Sequence, residues 1–218
     1  MEKTGILLLS GGMDSTTLLA DILNQGWIIH PVVFDYGQQH RIAENDAAAK
    51  VFGFYSRKYP GQLKPYKIIT IDLRQIGNSA LTDSSIPVPD NMKDQPKTVV
   101  PHRNTLMTTL AAAYGGSLGV YNIFLTPVKD DDENYPDCRR PFFDSLQETL
   151  SRSAERAVVV HTPYVHMWKA EVVALGKTLE VPYNLTHSCY KGVLGGCKVC
   201  PACRERIAAF EANGLIIA

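Results

Sequence analysis

The sequence lacks an excess of either charge, because its 22 Lys and Arg residues balance its 22 Asp and Glu residues. The broad basic surface of a nucleic-acid-binding protein is therefore not expected, and a small molecule is the favoured kind of partner. Also lacking are an apolar run near the ~20 residues that span a membrane and a basic, apolar leader at the first residues. We therefore expect a cytoplasmic protein with no membrane partner.

Apolar runs alternate with helix-forming segments along most of the chain. Strands are predicted at 5–9, 27–34, 67–71, 121–125 and 157–160, and helices at 15–25, 41–52, 104–115, 141–154 and 168–179. This alternation predicts an α/β fold, in which helices cover both faces of a parallel sheet. The Pro-rich, polar span 79–97 is the best candidate for a mobile loop.

A glycine pair lies between the first predicted strand and the first predicted helix, in the sequence Ser10-Gly11-Gly12-Met13-Asp14-Ser15. The glycines let backbone N–H groups turn toward an anion, the serine hydroxyls add donors, and the helix N-terminus adds a positive dipole. The pattern favours a loop that binds pyrophosphate, with a tight turn capped by Asp14 or Ser15 as the alternative. The Gly-Lys-Ser/Thr of a Walker A loop is absent, so transfer of the terminal phosphate alone is less favoured.

Four of the five cysteines lie close together near the end of the sequence: Cys189, Cys197, Cys200 and Cys203. Two successive C-x-x-C steps after one earlier thiol predict a closed, structural Zn²⁺ site. The alternatives are an iron–sulfur cluster, disulfides or unrelated buried thiols. His187 is a candidate replacement ligand, although a hydrogen-bonded histidine is favoured. Cys138 lies outside the cluster, in a polar setting that leaves a functional role open.

Six motifs are spread over nearly the whole chain: S-G-G-M-D-S at 10–15, F-D-Y-G-Q at 34–38, L-T-D-S-S-I-P-V-P at 81–89, V-P-H-R-N at 100–104, Y-P-D-C-R at 135–139 and the four cysteines. Together they resemble the 7-cyano-7-deazaguanine synthases, which are PP-loop ATP-pyrophosphatases. The resemblance implies an adenine nucleotide alpha hydrolase-like fold. It also implies that ATP adenylates 7-carboxy-7-deazaguanine, that ammonia captures the acyl group as an amide, and that a second ATP-dependent step forms the nitrile.

The resemblance also implies roles for individual residues. The phosphates of ATP and the associated Mg²⁺ are assigned to the loop residues Ser10, Gly11, Gly12, Met13, Asp14 and Ser15. The adenosine edge is assigned to Asp35 and its neighbours, and the base to Asp131, Tyr135, Asp137 and Arg139. The expected catalytic residues are Asp14, Arg103, Lys169 and Asp131.

Arg103 and Lys169 are expected to neutralise charge on the departing pyrophosphate. The alternatives are a helix-start ion pair for Arg103 and a solvated helix face for Lys169. Residues 1–185 are expected to form the nucleotide-binding catalytic domain, and residues 186–218 a zinc-binding segment of the same globular unit. The family resemblance suggests a homodimer, to which the apolar tail 215–217 is a candidate contributor.

The segment 126–134 departs from the family pattern, because T-P-V-K-D-D-D-E-N stands where the family has Gly-Val at the start and Ser-Gly at the end. An acidic, solvated loop is one interpretation of residues 130–133. The other is a remodelled surface for an amine other than ammonia, which leads to an alternative function: transfer of the deazaguanine acyl group to a protein. A non-catalytic nucleotide-binding module is a further hypothesis, and tRNA thiolation is disfavoured by the neutral charge.

Overall fold

A computed structural model describes residues 3–216, and within them five parallel strands form a sheet in the order β3-β2-β1-β4-β5. The strands are β1 (Thr4–Leu8), β2 (Ile28–Asp35), β3 (Lys67–Thr70), β4 (Asn122–Phe124) and β5 (Val159–His161). The helices are α1 (Met13–Asn24), α2 (Arg41–Lys58), α3 (Arg103–Leu118), α4 (Arg140–Arg152), α5 (Lys169–Thr178) and α6 (Pro201–Glu211). Short 3₁₀ helices cover Leu73–Gln75, Gln95–Thr98, Lys129–Asp131, Pro136–Cys138 and Tyr183–Leu185.

The predicted α/β fold with a parallel sheet is confirmed, and each predicted strand and helix is present with shifted bounds. The strand order reverses between β1 and β4, and ligands of such sheets bind beyond the carboxyl ends of strands at this point. Helix α6 was not predicted. Its sequence contains Cys203 and two arginines and directly follows Cys200, and Ala209 and Phe210 pack into the core only after the chain has folded.

Side chains on the two faces of the sheet enter separate hydrophobic clusters. In β1, Leu7 packs with α1, α5 and α6, whereas its neighbour Ile6 packs on the opposite face with α3 and α4. This alternation follows from the period of two in an extended strand. Between residue 3 and residue 216, no helix combines the length and the apolar character needed to cross a membrane.

Two further segments were singled out by the sequence: the predicted loop 79–97 and the apolar tail 215–217. The predicted loop 79–97 has no helix or strand up to residue 94, but its last residues enter the 3₁₀ helix Gln95–Thr98. Ala80 and Leu81 are fully buried, and the Ala80 N–H donates to the Lys97 carbonyl over 2.8 Å. In the apolar tail, Leu215 packs against the core of its own chain and Ile216 is 93% exposed. Ile217 lies outside the described residues.

Candidate functional site

The loop between β1 and α1 is shaped by its glycines and serines. Gly11 has a φ of 74°, and a Cβ there would lie 2.5 Å from the backbone N of Ala48 in α2, so the position requires glycine. The hydroxyls of Ser10 and Ser15 lie 3.0 Å apart and brace the loop. No side chain caps α1, so its first backbone N–H groups are available to an anion at the carboxyl edge of the sheet.

A cavity of about 270 Å³ opens beside this loop. Eight of the predicted site residues line it: Ser10, Gly12, Met13, Asp14, Arg103, Asp131, Tyr135 and Lys169. The structure thus brings together residues that are more than 150 positions apart in the chain, counted from Ser10 to Lys169. An apolar wall of Leu8, Val32, Phe34, Met107 and Phe143 completes one side and suits a flat heterocycle.

Five further residues, which the sequence assigned to ATP or to the base, do not line the cavity. Gly11 and Ser15 belong to the loop but do not face the cavity. The Asp35 carboxylate accepts a hydrogen bond from the Gly37 N–H and forms an ion pair with Arg41. Asp137 accepts a hydrogen bond from the Asn104 N–H over 3.1 Å. Arg139 donates through Nε to the Asp132 carbonyl over 2.8 Å.

Lys169, the first residue of α5, is buried and ion-paired. Its side chain is 9% exposed, and its Nζ lies 3.0 Å from Asp131 Oδ1 and 2.7 Å from Glu205 Oε2. The alternative of a solvated helix face is therefore wrong. Burial alone would lower the pKa of Lys169, but the charges of Asp131 and Glu205 outweigh burial and hold that pKa well above its ordinary value. Lys169 is thus protonated at neutral pH, with its ammonium group held between two carboxyl groups at the cavity.

Asp14 brings a carboxyl group to the same end of the cavity. Its Oδ1 is buried and has no hydrogen-bond partner among the described residues. Burial raises the pKa of Asp14 to about 7, while the charge of Lys169 opposes that rise. A carboxylate oxygen without a partner among the described residues, beside the loop predicted to bind phosphate, fits a ligand of Mg²⁺.

Arg103 begins α3 and projects into the cavity. Its Nη1 donates to the Tyr36 hydroxyl over 3.4 Å, and its guanidinium lies 5.9 Å from the centre of that ring. None of the ion pairs formed by residues 3–216 includes Arg103, so the alternative of a helix-start ion pair is wrong. Its charge remains available to an anionic ligand.

Two titratable groups on and next to α2, which the sequence did not identify, face the cavity. Burial raises the pKa of Glu44 to about 7, and Gln38 donates to its Oε2 over 2.9 Å. Burial, with the neighbouring His187 second, lowers the pKa of His40 to about 4. Near neutral pH, His40 is therefore uncharged and Glu44 can take up or release a proton.

Tyr135 and Cys138 lie on the side of the cavity assigned to the base. The Tyr135 hydroxyl lies 2.7 Å from Thr98 Oγ1, and the Cys138 Sγ accepts a hydrogen bond from Asn104 Nδ2 over 3.3 Å. Burial raises the pKa of the Cys138 thiol above its ordinary value, so the thiol is protonated at neutral pH. This chemistry disfavours Cys138 as a nucleophile.

The four clustered cysteines converge near the C-terminus, with all four Sγ atoms within 4.8 Å of one another. Four sulfurs bound to Zn²⁺ at about 2.3 Å would stand about 3.8 Å apart, and Cys197 and Cys203 are 3.9 Å apart. Backbone N–H groups of Cys197 and Cys200 point at sulfurs, as expected for thiolates. All five cysteines are free, which contradicts the disulfide alternative. His187 is no ligand of this cluster, because its Nε2 contacts the Cys189 carbonyl at 2.9 Å.

The cysteine segment also supplies one wall of the cavity, which the sequence did not predict. The residues involved are His187, Ser188, Tyr190, Ala202 and Glu205. The His187 N–H donates to the Gly11 carbonyl over 3.0 Å, so this segment packs directly on the phosphate loop. The spacing of the cysteines indicated a metal site but held no signal for which neighbouring residues would reach the cavity.

Known proteins resemble this chain at two levels. Two 7-cyano-7-deazaguanine synthases are each 39% identical: that of Thermoplasma volcanium over 98% of this chain and 89% of its own length, and that of Pseudomonas syringae over 98% and 94%. Among solved structures, the NMN synthetase from Francisella tularensis superposes with a TM-score of 0.51 at 14% identity, covering 100% of this chain and 79% of that one.

The U34-tRNA thiolase NcsA from Methanococcus maripaludis superposes with a TM-score of 0.51 at 18% identity, covering 98% of this chain and 67% of that one. At these identities the two structures show the fold alone, and they bear out the predicted PP-loop fold. The model of the family described as queuosine biosynthesis protein QueC matches residues 4–214. The resemblance inferred from the six motifs is therefore confirmed, and the chain belongs to the QueC family of queuosine biosynthesis proteins.

Proposed function

We propose that this protein is an ATP-dependent 7-cyano-7-deazaguanine synthase, which converts 7-carboxy-7-deazaguanine and ammonia to the nitrile. The observation that carries the proposal is the meeting of the loop 10–15, Arg103 and the buried Lys169 at one cavity. The chain's membership of the QueC family supplies the substrate.

In the first step, a carboxylate oxygen of the substrate attacks the α-phosphorus of ATP and pyrophosphate leaves. The carboxylate thereby becomes an acyl-adenylate, whose AMP is a far better leaving group than oxide. Negative charge grows on the departing pyrophosphate, where the backbone N–H groups of residues 10–15 and the dipole of α1 oppose it. Arg103 and Lys169 add the two positive charges that line this cavity.

In the second step, the lone pair of ammonia attacks the acyl carbon, AMP leaves, and a proton is lost from nitrogen to give the amide. Glu44 lines the cavity and has a pKa of about 7, so its carboxylate can take up that proton near neutral pH. A second ATP adenylates the amide oxygen. Loss of AMP and two protons then breaks the C–O bond and leaves the nitrile.

We assign the base to the side of the cavity formed by Asp131 and Tyr135. Asp137 and Arg139 support that side indirectly, through their hydrogen bonds to Asn104 and to the Asp132 carbonyl. Adenosine is assigned to the edge that follows Asp35, where the ring of Tyr36, unlike the Asp35 carboxylate, lines the cavity.

We assign Zn²⁺ to the four cysteines, which leave no open coordination position for water, so the ion supports structure. Mg²⁺ is assigned to Asp14 together with the phosphates of ATP, where it would neutralise phosphate charge. The residues from 186 onward are proposed to belong to the same folded unit as residues 1–185. This is supported by the contact between His187 and Gly11. A homodimer in the cytoplasm completes the proposal, and sedimentation of the purified protein tests the dimer.

Product analysis tests the proposed reaction. The protein is incubated with 7-carboxy-7-deazaguanine, ammonium and Mg-ATP, and mass spectrometry is used to search for the nitrile, with release of AMP and pyrophosphate followed in parallel. The nitrile should form at two ATP per base, and R103A should suppress it. Adenylate turnover without nitrile or amide would overturn the proposal, and ATP binding without turnover would indicate a binding module instead.

A further inference from the structure

Helix α6 and its N-cap carry two of the clustered cysteines and a residue that contacts Lys169, all within about one and a half turns. Cys200 is the N-cap of α6 and Cys203 lies in its first turn. Glu205 follows two residues later, and its Oε2 accepts from Lys169 Nζ over 2.7 Å, with both side chains 9% exposed. The contact joins residues 36 positions apart. The segment that carries the four clustered cysteines thus reaches the lysine at the cavity.

Glu205 is itself held at both oxygens. Its Oε1 accepts from Gln95 Nε2 over 2.8 Å, and Gln95 Oε1 in turn accepts from Asn134 Nδ2 over 3.2 Å. A carboxylate with two fixed hydrogen bonds has few alternative rotamers. Asp131, the second partner of Lys169, lies in a short 3₁₀ helix and its side chain is more exposed than that of Glu205. Asp131 also accepts at both oxygens, but its second bond, from the Val128 N–H, is longer at 3.4 Å, so Glu205 is the more buried and more closely held of the two partners.

Buried lysines have long, flexible side chains, and an ammonium group holds one position only when its partners do. The Glu205 backbone belongs to a turn of α6 that follows directly on two metal ligands. Movement of Cys200 and Cys203 would displace this turn, because a helix transmits such a shift to residues within one turn. The metal site and the position of Lys169 are thus mechanically linked through Glu205.

We propose that Glu205 is a positioning residue that holds the Lys169 ammonium group at the cavity, and that metal binding by the four cysteines fixes the helical turn from which Glu205 reaches it. The catalytic consequence rests on the proposed function, because Lys169 is there assigned to the departing pyrophosphate. The geometric claim does not depend on which substrate is bound.

Activity measurements test the catalytic consequence. E205A should lower kcat for AMP formation by about 10- to 100-fold, as a misplaced charged group does, with a smaller change in KM for ATP. E205Q should recover part of kcat, because the new amide oxygen can accept a hydrogen bond from Lys169. The new NH₂ group can donate to the Gln95 carbonyl oxygen once the side-chain amide of Gln95 rotates by half a turn. E211A, at an exposed position of the same helix, is the matched control and should behave as wild type.

Acetylation of lysines, read by mass spectrometry, tests the geometry without any substrate. Lys169 should be protected in the metal-loaded protein and labelled at least fivefold faster in E205A, while Lys50, which is 56% exposed on α2, reports the intrinsic reagent activity. Removing the metal with a chelator should speed the acetylation of Lys169 in the wild type. It should speed it little further in E205A, because the chelator and the substitution break the same link between the metal site and Lys169. Circular dichroism confirms that each sample is folded.

The outcomes separate the two proposals. Continued protection of Lys169 in folded E205A, or equal and independent effects of chelation and E205A, would overturn the positioning role. Absence of base-dependent AMP formation by the wild type, with Lys169 labelling as expected, would instead overturn the proposed function alone. A loss of kcat in E205Q as large as in E205A would show that Glu205 acts through its charge and not by position.

Discussion

Asp14→Asn removes a carboxyl group whose burial makes folding depend on pH. Burial raises the pKa of Asp14 from 3.8 to about 7, and no group within residues 3–216 forms a hydrogen bond with its Oδ1. Between these two values the folded protein keeps a proton that the unfolded chain has lost, so rising pH favours unfolding. The stabilising effect of this proton is fully present below about pH 3.8 and is lost as the pH rises through about 7.

The size of the effect follows from the shift. A shift of about three units corresponds to about 4 kcal/mol in the free energy of unfolding. About 3 kcal/mol of this contribution to the free energy of unfolding is lost by pH 6, and about 1.4 kcal/mol more is lost between pH 6 and pH 8. Asparagine has nearly the same shape and does not ionise. The stability of D14N relative to wild type should therefore increase by about 1.4 kcal/mol from pH 6 to pH 8, although the variant loses the Mg²⁺ ligand that we assign to Asp14.

Urea unfolding of the metal-loaded, ATP-free protein at pH 6, 7 and 8 measures this difference. Comparing D14N with wild type at each pH cancels the titration of groups that do not interact with Asp14, including the cysteines. D46N is the matched control, because Asp46 is exposed on α2 and forms an ion pair with the exposed Lys50. Its difference from wild type should stay within about 0.5 kcal/mol at all three values. A D14N difference that is constant or that shrinks as the pH rises would refute the argument from burial.

Three further predictions follow from single contacts. G176A should destabilise the fold by about 1–3 kcal/mol in thermal unfolding, because the added Cβ would lie 1.8 Å from the Tyr183 hydroxyl. The control is G116A, whose Cβ would meet nothing within 4 Å and which should stabilise its helix by up to about 1 kcal/mol. C189S should lose the bound metal, which elemental analysis measures, and unchanged metal content would contradict the four-cysteine site. The same variant should lose about 3 kcal/mol or more of unfolding free energy, which corresponds to a fall of about 10 °C in unfolding temperature. R103A should reduce base-dependent pyrophosphate release by about 10²- to 10³-fold, with partial recovery in R103K, and wild-type rates in R103A would exclude Arg103 from the reaction.

Much of the fold and part of the site could be predicted from the sequence because the signals are local. The periods of strands and helices repeat over a few residues, the glycine pair at 11–12 reflects one backbone turn, and C-x-x-C spacing reflects the reach of neighbouring ligands. The parallel sheet, the glycine turn between the first strand and the first helix, the cysteine cluster and five of the six α-helices that the structure describes within residues 3–216 were accordingly found close to where the sequence placed them. The family was recognisable for the same reason, since its motifs are short and contiguous.

Only the tertiary structure decided which of the indicated side chains share a cavity. Asp131 and Tyr135 reach it, whereas the Asp35 carboxylate turns to Arg41 and Arg139 turns to the Asp132 carbonyl. Helix α6 and Glu205 were missed altogether, because the helix is stabilised by packing on α5 and Glu205 meets Lys169 across 36 positions of chain. Sequence patterns record local geometry, but the position of a buried charge depends on partners that only long-range packing brings together.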